Sequence, residues 1–408
     1  MVKLVHNDII VLLASMGGIL ILARIFAELG KKIKMPIVMG EILLGIILGP
    51  TVFGSLFPDA CAAILPKTGA VKIAMDGITS LSVVMLLFVA GMEVQLQVML
   101  KQGKTAVYTS FTSMIIPFIL GFAAVWFFPG FFVFTPDRRL VYALFFGIAM
   151  AVSALPVIIR IMMDLNLFKT KVGMVIIAAA IFDDLTGWIM FSFVLSLMGQ
   201  EGEITSVWFT IGMILGFGLF MLIIGRYAIN KALPWIQKNL SWPGGVLSIS
   251  LGLCFLSAAF TEYIGLHAIL GAFIVGIALG DSVHLQERER EIIHQFVTNV
   301  FAPLFFVSLG FKVNFIENFD WQLVLLVFFL AVGCKVFGAS LGGYLGGLTK
   351  RESLAVGFGL NARGAMEIIL GTLALNAGLI DSKMFVALVV MALITSMISG
   401  PLMKRFID

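Results

Sequence analysis

Asp183 and Asp184 stand side by side in the middle of GMVIIAAAIFDDLTGWIMFSFVLSLMG, residues 173–199, a stretch that is otherwise almost wholly apolar. A charge at the centre of a hydrocarbon layer costs about 3 kcal/mol or more, so two adjacent acids need a reason to be there. Neighbouring residues on a helix point about 100° apart. The two carboxylates therefore cannot share one partner: one can lean on a basic group while the other faces a cavity. Carboxylate oxygens suit hard cations. A buried acid pair near a lysine can titrate as a coupled unit around neutral pH and hold either a proton or a cation. A purely structural pair would need two basic partners, a costly arrangement.

The other intramembrane charges are few. Asp183 lies 14 residues after Lys169, about 20 Å along a helix axis and so near a bilayer midplane. Lys335 lies 14 residues after Trp321, at similar depth in its own apolar run. Arg363 and Glu367 are four apart, on one helical face if that span is continuous; they read equally as an internal salt bridge or as part of a site. Glu41 and Glu93, each alone on its run, read as structural.

These charges sit in a chain of 408 residues that is 60% hydrophobic and only 12% charged, a composition outside the range of soluble domains. Thirteen apolar runs are long enough to cross a bilayer, roughly 8–29, 36–50, 79–99, 105–128, 140–164, 171–199, 205–228, 244–262, 266–280, 292–313, 321–346, 352–377 and 384–403. The expected fold is an all-α polytopic membrane protein with one transmembrane domain and no signal peptide. Lys and Arg number sixteen on one set of loops and seven on the other. The richer side is expected in the cytoplasm, with the N-terminus outside and the C-terminus inside. The net charge of +4 reflects this bias and implies no nucleic-acid partner. Cys61, Cys254 and Cys334 suggest neither a disulfide framework nor a metal site.

An internal repeat is visible. In MPIVMGEILLGIILG (35–49) and HAILGAFIVGIALG (267–280), Gly40, Gly45 and Gly49 match Gly271, Gly276 and Gly280 at a constant offset of 231. LLFVAGMEV (86–94) and LFFVSLGFKV (304–313) also agree, with one gap. The step is seven spans, so the two copies are expected to cross in opposite directions, a pattern of secondary transporters. The repeat pairs the fifth span with the twelfth. The fifth carries Pro156, and the twelfth carries Asn361 and Gly364 beside its charges. Pro removes a donor and clashes with the preceding turn. A simple kink at Pro156 and a true interruption remain equal readings. Interrupted spans at corresponding positions point to an ion site, where freed carbonyls and helix ends can serve as ligands.

AAAIFDDLTGW, Lys335 in GCKVFGASLGGYLGGL, NARGAMEIILG and PIVMGEILLGIILGP together resemble the bacterial cation:proton antiporters of the second monovalent-cation family. The resemblance covers nearly the whole chain. It implies a homodimer in the cell inner membrane, with dimerisation and linker helices at about 8–78 and 205–280 and a mobile core at 79–199 and 292–403. Two discontinuous helices would cross in that core, unwound at 152–156 and 361–364. It implies Asp184 as the principal cation and proton carrier, Asp183 as the partner of Lys335, and no cofactor. Ser153 and Asn361 are expected beside the acid pair, with Pro156, Arg363 and Glu367 supporting it.

The function expected is exchange of Na⁺ or Li⁺ for H⁺ by elevator-type alternating access. The Asp-Asp pair favours this over glutathione-gated potassium efflux, whose proteins tend to carry Gln-Asp and a long cytosolic nucleotide-binding domain. NARGAMEIIL also occurs in relatives that move K⁺, so a K⁺/H⁺ antiporter is the alternative. An intramembrane aspartyl protease needs its acids on two facing helices, and a channel or organic-anion symporter needs no lysine opposite an acid pair. No phosphate loop of the GxxxxGK[ST] type is present. Lys335, unlike an arginine, can give up its proton when buried. That favours two protons per cation, a cycle to which a 100 mV potential adds about 2.3 kcal/mol. One site shared by H⁺ and cation predicts competition. Cation titrations of exchange at several pH values should show apparent affinity weakening as pH falls, and a constant affinity would indicate separate paths.

Overall fold

The structure is a computed structural model that describes residues 5–32, 37–66, 68–94, 103–134, 136–164, 167, 170–198, 207–264, 266 and 268–407. A few side chains within helices, those of Pro156 and Asp184 among them, lie outside that description. The described residues form helices and no strands. In chain order the longer ones are α1 (His6–Lys32), α2 (Ile37–Leu48), α3 (Ala70–Glu93), α4 (Gly103–Phe127), α5 (Arg139–Ala151), α6 (Leu155–Asp164), α7 (Lys171–Met198) and α8 (207–239, with a π-turn at Met221–Gly225). There follow α9 (Gly244–Tyr263), α10 (Ala268–Gly280), α11 (Glu287–Lys312, with a π-turn at Val297–Phe301), α12 (Trp321–Leu345), α13 (Lys350–Leu360), α14 (Ala365–Asn376) and α15 (Ser382–Ile407).

Ten helices among the described residues are long and apolar enough to cross a membrane, and Ala268–Gly280 and Met366–Asn376 are shorter apolar helices. The chain is a multi-pass membrane protein. Several helices outrun the hydrophobic stretches that announce them. The run at 79–99 belongs to a helix that begins at Ala70 and ends at Glu93, since the Lys72–Asp76 pair, four residues apart, supports a polar first turn. The run at 292–313 begins at Glu287, where Gln286 and Glu289 form a capping box. Hydropathy marks the part of a helix that belongs in hydrocarbon, whereas caps and charge pairs carry the helix on into water.

Two compact units emerge, one from the residues up to Val94 with Leu215–Asn318, the other from Gln95–Ile214 with Phe319–Asp408. Helices α3 and α11 cluster with the first unit, whereas the sequence reading assigns most of each to the core. In this unit α2 packs on α11 and α10 packs on α3. The contacts are backbone to backbone: Gly45 meets Gly310, and Gly276 meets Gly91, with no room for a Cβ at any of the four. The matched segments thus make reciprocal crossings, each copy of the glycine-rich helix lying on the other copy's neighbour. Such close approach is a common way for membrane helices to gain packing energy.

In the second unit α12 runs along α4, and α4 lies against α5. Gly338, Gly342 and Gly346 of α12 face Thr112, Thr109 and Thr105 of α4, and the Thr105 hydroxyl donates to Gly346 O at 2.5 Å. α12 also packs on α13 and α15, and α7 touches α4, α5, α6 and α13. The fifth and twelfth spans are interrupted, as α5–α6 and α13–α14. Gly310→Val should force the α2–α11 crossing apart at a cost of about 1–3 kcal/mol. The expected result is a lower melting temperature of the purified protein in detergent, and an unchanged one would show that this crossing is loosely packed.

Candidate functional site

A helix that stops inside a membrane leaves its last carbonyls without partners in the helix. α5 stops at Ala151, which is fully buried. Pro156 makes it stop, because within a continuous helix its ring would clash with the carbonyl four residues back, at Val152. The chain leaves helical geometry over 152–154 and resumes it at Leu155. Pro156 is then second in the new helix, where a missing N–H is harmless. The unwound stretch is therefore shorter than the expected 152–156.

Each terminal carbonyl of α5 finds a donor. Val152 N–H donates to Ile148 O. Arg363 Nη1 donates to Ala149 O at 2.5 Å and Nη2 to Met150 O at 2.6 Å. Lys335 Nζ donates to Ala151 O. Two cations thus stand at the negative end of the α5 dipole. Lys335 is placed there by the glycine-lined approach of α12 to α4, one turn before Gly338. Its ammonium also donates to Ser113 O at 3.0 Å and to Asp183 Oδ2 at 2.6 Å. These three acceptors engage all three of its hydrogens.

Asp183 reaches this group from α7, and both it and Lys335 are fully buried. Ser113 Oγ lies 3.0 Å from Asp183 Oδ1, and Ser153 Oγ lies 3.0 Å from Oδ2. Each hydroxyl is also within reach of a backbone carbonyl, Ser110 O at 3.0 Å for Ser113 and Leu360 O at 2.8 Å for Ser153. A hydroxyl has one proton, so each serine donates either to the acid or to the backbone.

The second interruption meets the first. Ala154 N–H donates to Ala362 O at 2.9 Å, and Ser396 of α15 donates to Arg363 O. Arg363 Nη1 also binds Glu367 Oε1 at 2.6 Å. The pair does not share a helical face: Arg363 belongs to the unwound 361–364 stretch, and Glu367 to the first turn of α14. An acid is favoured there by the helix dipole. The four described charges are thus paired two by two. Asn361, at the C-cap of α13, is fully buried, and neither its Oδ1 nor its Nδ2 has a partner among the described residues. Buried amides are rarely left so, and an amide oxygen is a hard cation ligand.

Asp183, Lys335, Ser153, Arg363 and Glu367 therefore meet at one place, with Asn361 next in the chain to Leu360, which Ser153 contacts. The expected role of Asp184, and its distance from the unwound segments, falls on a side chain outside the described residues. Glu93 belongs to the first unit, with Oε1 3.2 Å from His294 Nε2. Glu41 is buried in α2, its Oε2 without a partner among the described residues. Ser113 and Ser396 were not expected from the sequence. For Ser113 the signal was present as a run of hydroxyls, Thr105, Thr109, Ser110, Thr112 and Ser113, in an otherwise apolar helix.

Arg363→Lys keeps the charge but loses the planar fork that serves two carbonyls and a carboxylate at once. It should cost about 2–3 kcal/mol, the worth of one charge-assisted hydrogen bond, read as a lower melting temperature in detergent. A variant as stable as the parent would show that the fork is dispensable.

Comparison with known proteins gives four findings. The family model described as sodium/hydrogen exchanger, transmembrane, matches residues 17–407. A K⁺/H⁺ antiporter of Saccharomyces cerevisiae is 30% identical over 388 residues, covering 91% of this chain but only 43% of that protein. The Na⁺/H⁺ antiporter NhaS4 of Synechocystis is 29% identical over 408 residues, covering 98% of both chains. Among solved structures, the sodium proton antiporter MjNhaP1 of Methanocaldococcus jannaschii aligns over 98% of this chain and 97% of its own, with a TM-score of 0.65 at 18% identity. That likeness is one of fold.

Proposed function

The chain belongs to the sodium/hydrogen exchanger family, a family of membrane antiporters and not of enzymes, and on that premise we propose that it exchanges Na⁺ or Li⁺ for H⁺ at the acid pair. One observation carries the reading. Asp183 is engaged by Lys335 and two serines beside the meeting of two interrupted helices, where the buried amide of Asn361 lacks a partner among the described residues. Asp183 is the fixed member of the pair. Asp184, the next residue on α7, is the carrier that binds cation and proton in turn. Asn361 and the carbonyls freed at 152 and 153 assist as ligands. Lys335 releases its proton when the cation enters, which makes the exchange two protons per cation.

In this reading Gln95–Ile214 with Phe319–Asp408 is the moving core, and the other unit is the scaffold of a homodimer. The division follows the two contact units, and the reciprocal glycine crossings support two inverted halves. The core moves past the scaffold as an elevator. The loops richer in Lys and Arg face the cytoplasm, with the N-terminus outside, and the membrane is the inner one that the family resemblance implies. A K⁺/H⁺ exchanger on the same scaffold is the second reading, favoured by the name of the yeast relative.

Reconstitution in liposomes tests both. Proton movement should follow addition of Na⁺ or Li⁺, and its rate should respond to an imposed membrane potential. A response to K⁺ alone selects the second reading. Asp184→Asn keeps the size of the side chain and removes its charge. It should abolish exchange in a protein that still folds, and near parental exchange would remove Asp184 as the carrier.

A further inference from the structure

Far from the acid pair along α5, the second unit holds a cavity of about 580 Å³ lined by Tyr142, Asp320, Trp321, Asp381 and Lys383, with Phe131 at its edge. Asp320 and Asp381 begin the membrane helices α12 and α15. Asp320 Oδ1 accepts from the backbone N–H groups of Gln322 and Leu323 at 3.1 and 3.2 Å, and Asp381 Oδ1 accepts from Met384 N–H at 2.9 Å. One oxygen of each carboxylate thus serves the helix. The other, Oδ2, has no hydrogen-bond partner among the described residues.

Capping alone would explain two acids at two helix starts. It does not explain Tyr142. This residue is 1% exposed and lines the cavity, its hydroxyl has no hydrogen-bond partner among the described residues, and it lies within electrostatic reach of the Asp381 carboxylate. A buried phenol normally finds a partner. The cavity therefore presents three oxygens able to accept from a donor, together with the ammonium of Lys383, which can meet an anion.

The walls indicate the rest of the ligand. Trp321 and Phe131 are 61% and 64% exposed, in the manner of aromatic side chains at a membrane–water boundary. Leu325 and Leu326, one turn further along α12, continue the wall into apolar surface. The ligand that fits is amphipathic, carries a donor-rich cation beside an anion, and arrives from the bilayer. We propose that this cavity binds the headgroup of an ethanolamine phospholipid. Its primary ammonium donates to Asp320, Asp381 and Tyr142, its phosphate meets Lys383, and its chains lie along the Leu325–Leu326 side. A choline headgroup has the same charges but no N–H to donate, so the cavity discriminates between the two.

Native mass spectrometry of the purified full chain, exchanged into detergent with equal amounts of phosphatidylethanolamine and phosphatidylcholine, tests this. Retention of the ethanolamine lipid should exceed that of the choline lipid by about tenfold or more, since charge-assisted hydrogen bonds are at stake. Asparagine caps a helix as well as aspartate does, so the double variant Asp320→Asn with Asp381→Asn keeps both helix starts and should erase the difference. Equal retention of the two lipids by the parent protein, or an undiminished preference in the double variant, overturns the proposal. So does displacement of the lipid by millimolar phosphoethanolamine without chains, which would assign the cavity to a soluble amine. If the double variant does not purify, Tyr142→Phe gives the same reading: a reduced preference supports the site and an unchanged one overturns it.

Discussion

A helix end inside a membrane must be answered in hydrogen bonds, because no water is at hand to do it. The second unit is organised around one such end. The carbonyls of Ala149, Met150 and Ala151 are met by Arg363 and Lys335, which arrive from different parts of the chain. A cation in that position needs an anion nearby, so Asp183 and Glu367 follow. A lysine held there needs a close backbone path, and the glycines of α12 supply it. The ion-pair chemistry and the helix packing are two sides of one requirement.

Breaking a helix is costly, and the two breaks here lower that cost for each other. Ala154 N–H is answered by Ala362 O, and the Ser153 hydroxyl reaches Leu360 O. The backbone of each interrupted span supplies partners that the other lacks. Among the described residues where the breaks meet, Asn361 is the side chain with both of its polar atoms left over, and an amide can serve a cation with its oxygen or an anion with its nitrogen. Removing one member of a buried ion pair leaves an uncompensated charge, about 3–5 kcal/mol. The two pairs therefore make this region stiff, which suits a site that must be carried without falling apart.

Much of this was legible in the sequence for a physical reason: charge is so rare in apolar runs that each instance stands out. Asp183, Lys335, Arg363 and Glu367 were found that way, and Pro156 marked the first break. Membrane helices came from hydropathy, but their ends did not. α3 begins nine residues before its apolar run, held by a lysine–aspartate pair, and α11 begins at a capping box. The geometry of Arg363 is not legible from its spacing, because four residues imply a shared face only if the helix is unbroken, and here it is broken at 361–364. Ser113 is not singled out by the sequence because a hydroxyl in a membrane helix usually bonds back to its own helix, and only the fold shows which of five such residues reach beyond it. The cavity at Tyr142 was out of reach for a similar reason, since its lining is gathered from four separate segments of the chain.

The single protons of Ser113 and Ser153 have a consequence of their own. Each hydroxyl stands between the Asp183 carboxylate and a backbone carbonyl, that of Ser110 in its own helix for Ser113 and that of Leu360 at the end of α13 for Ser153, and rotation about one C–O bond moves its proton from one to the other. While the acid is charged, both protons point to it and the carbonyls of Ser110 and Leu360 go without them. When the acid is neutral, both can turn back to the backbone. These side chains act as two rotary relays. They transcribe the electrical state of a buried acid into the bonding of one helix and of one helix end, with no heavy atom displaced.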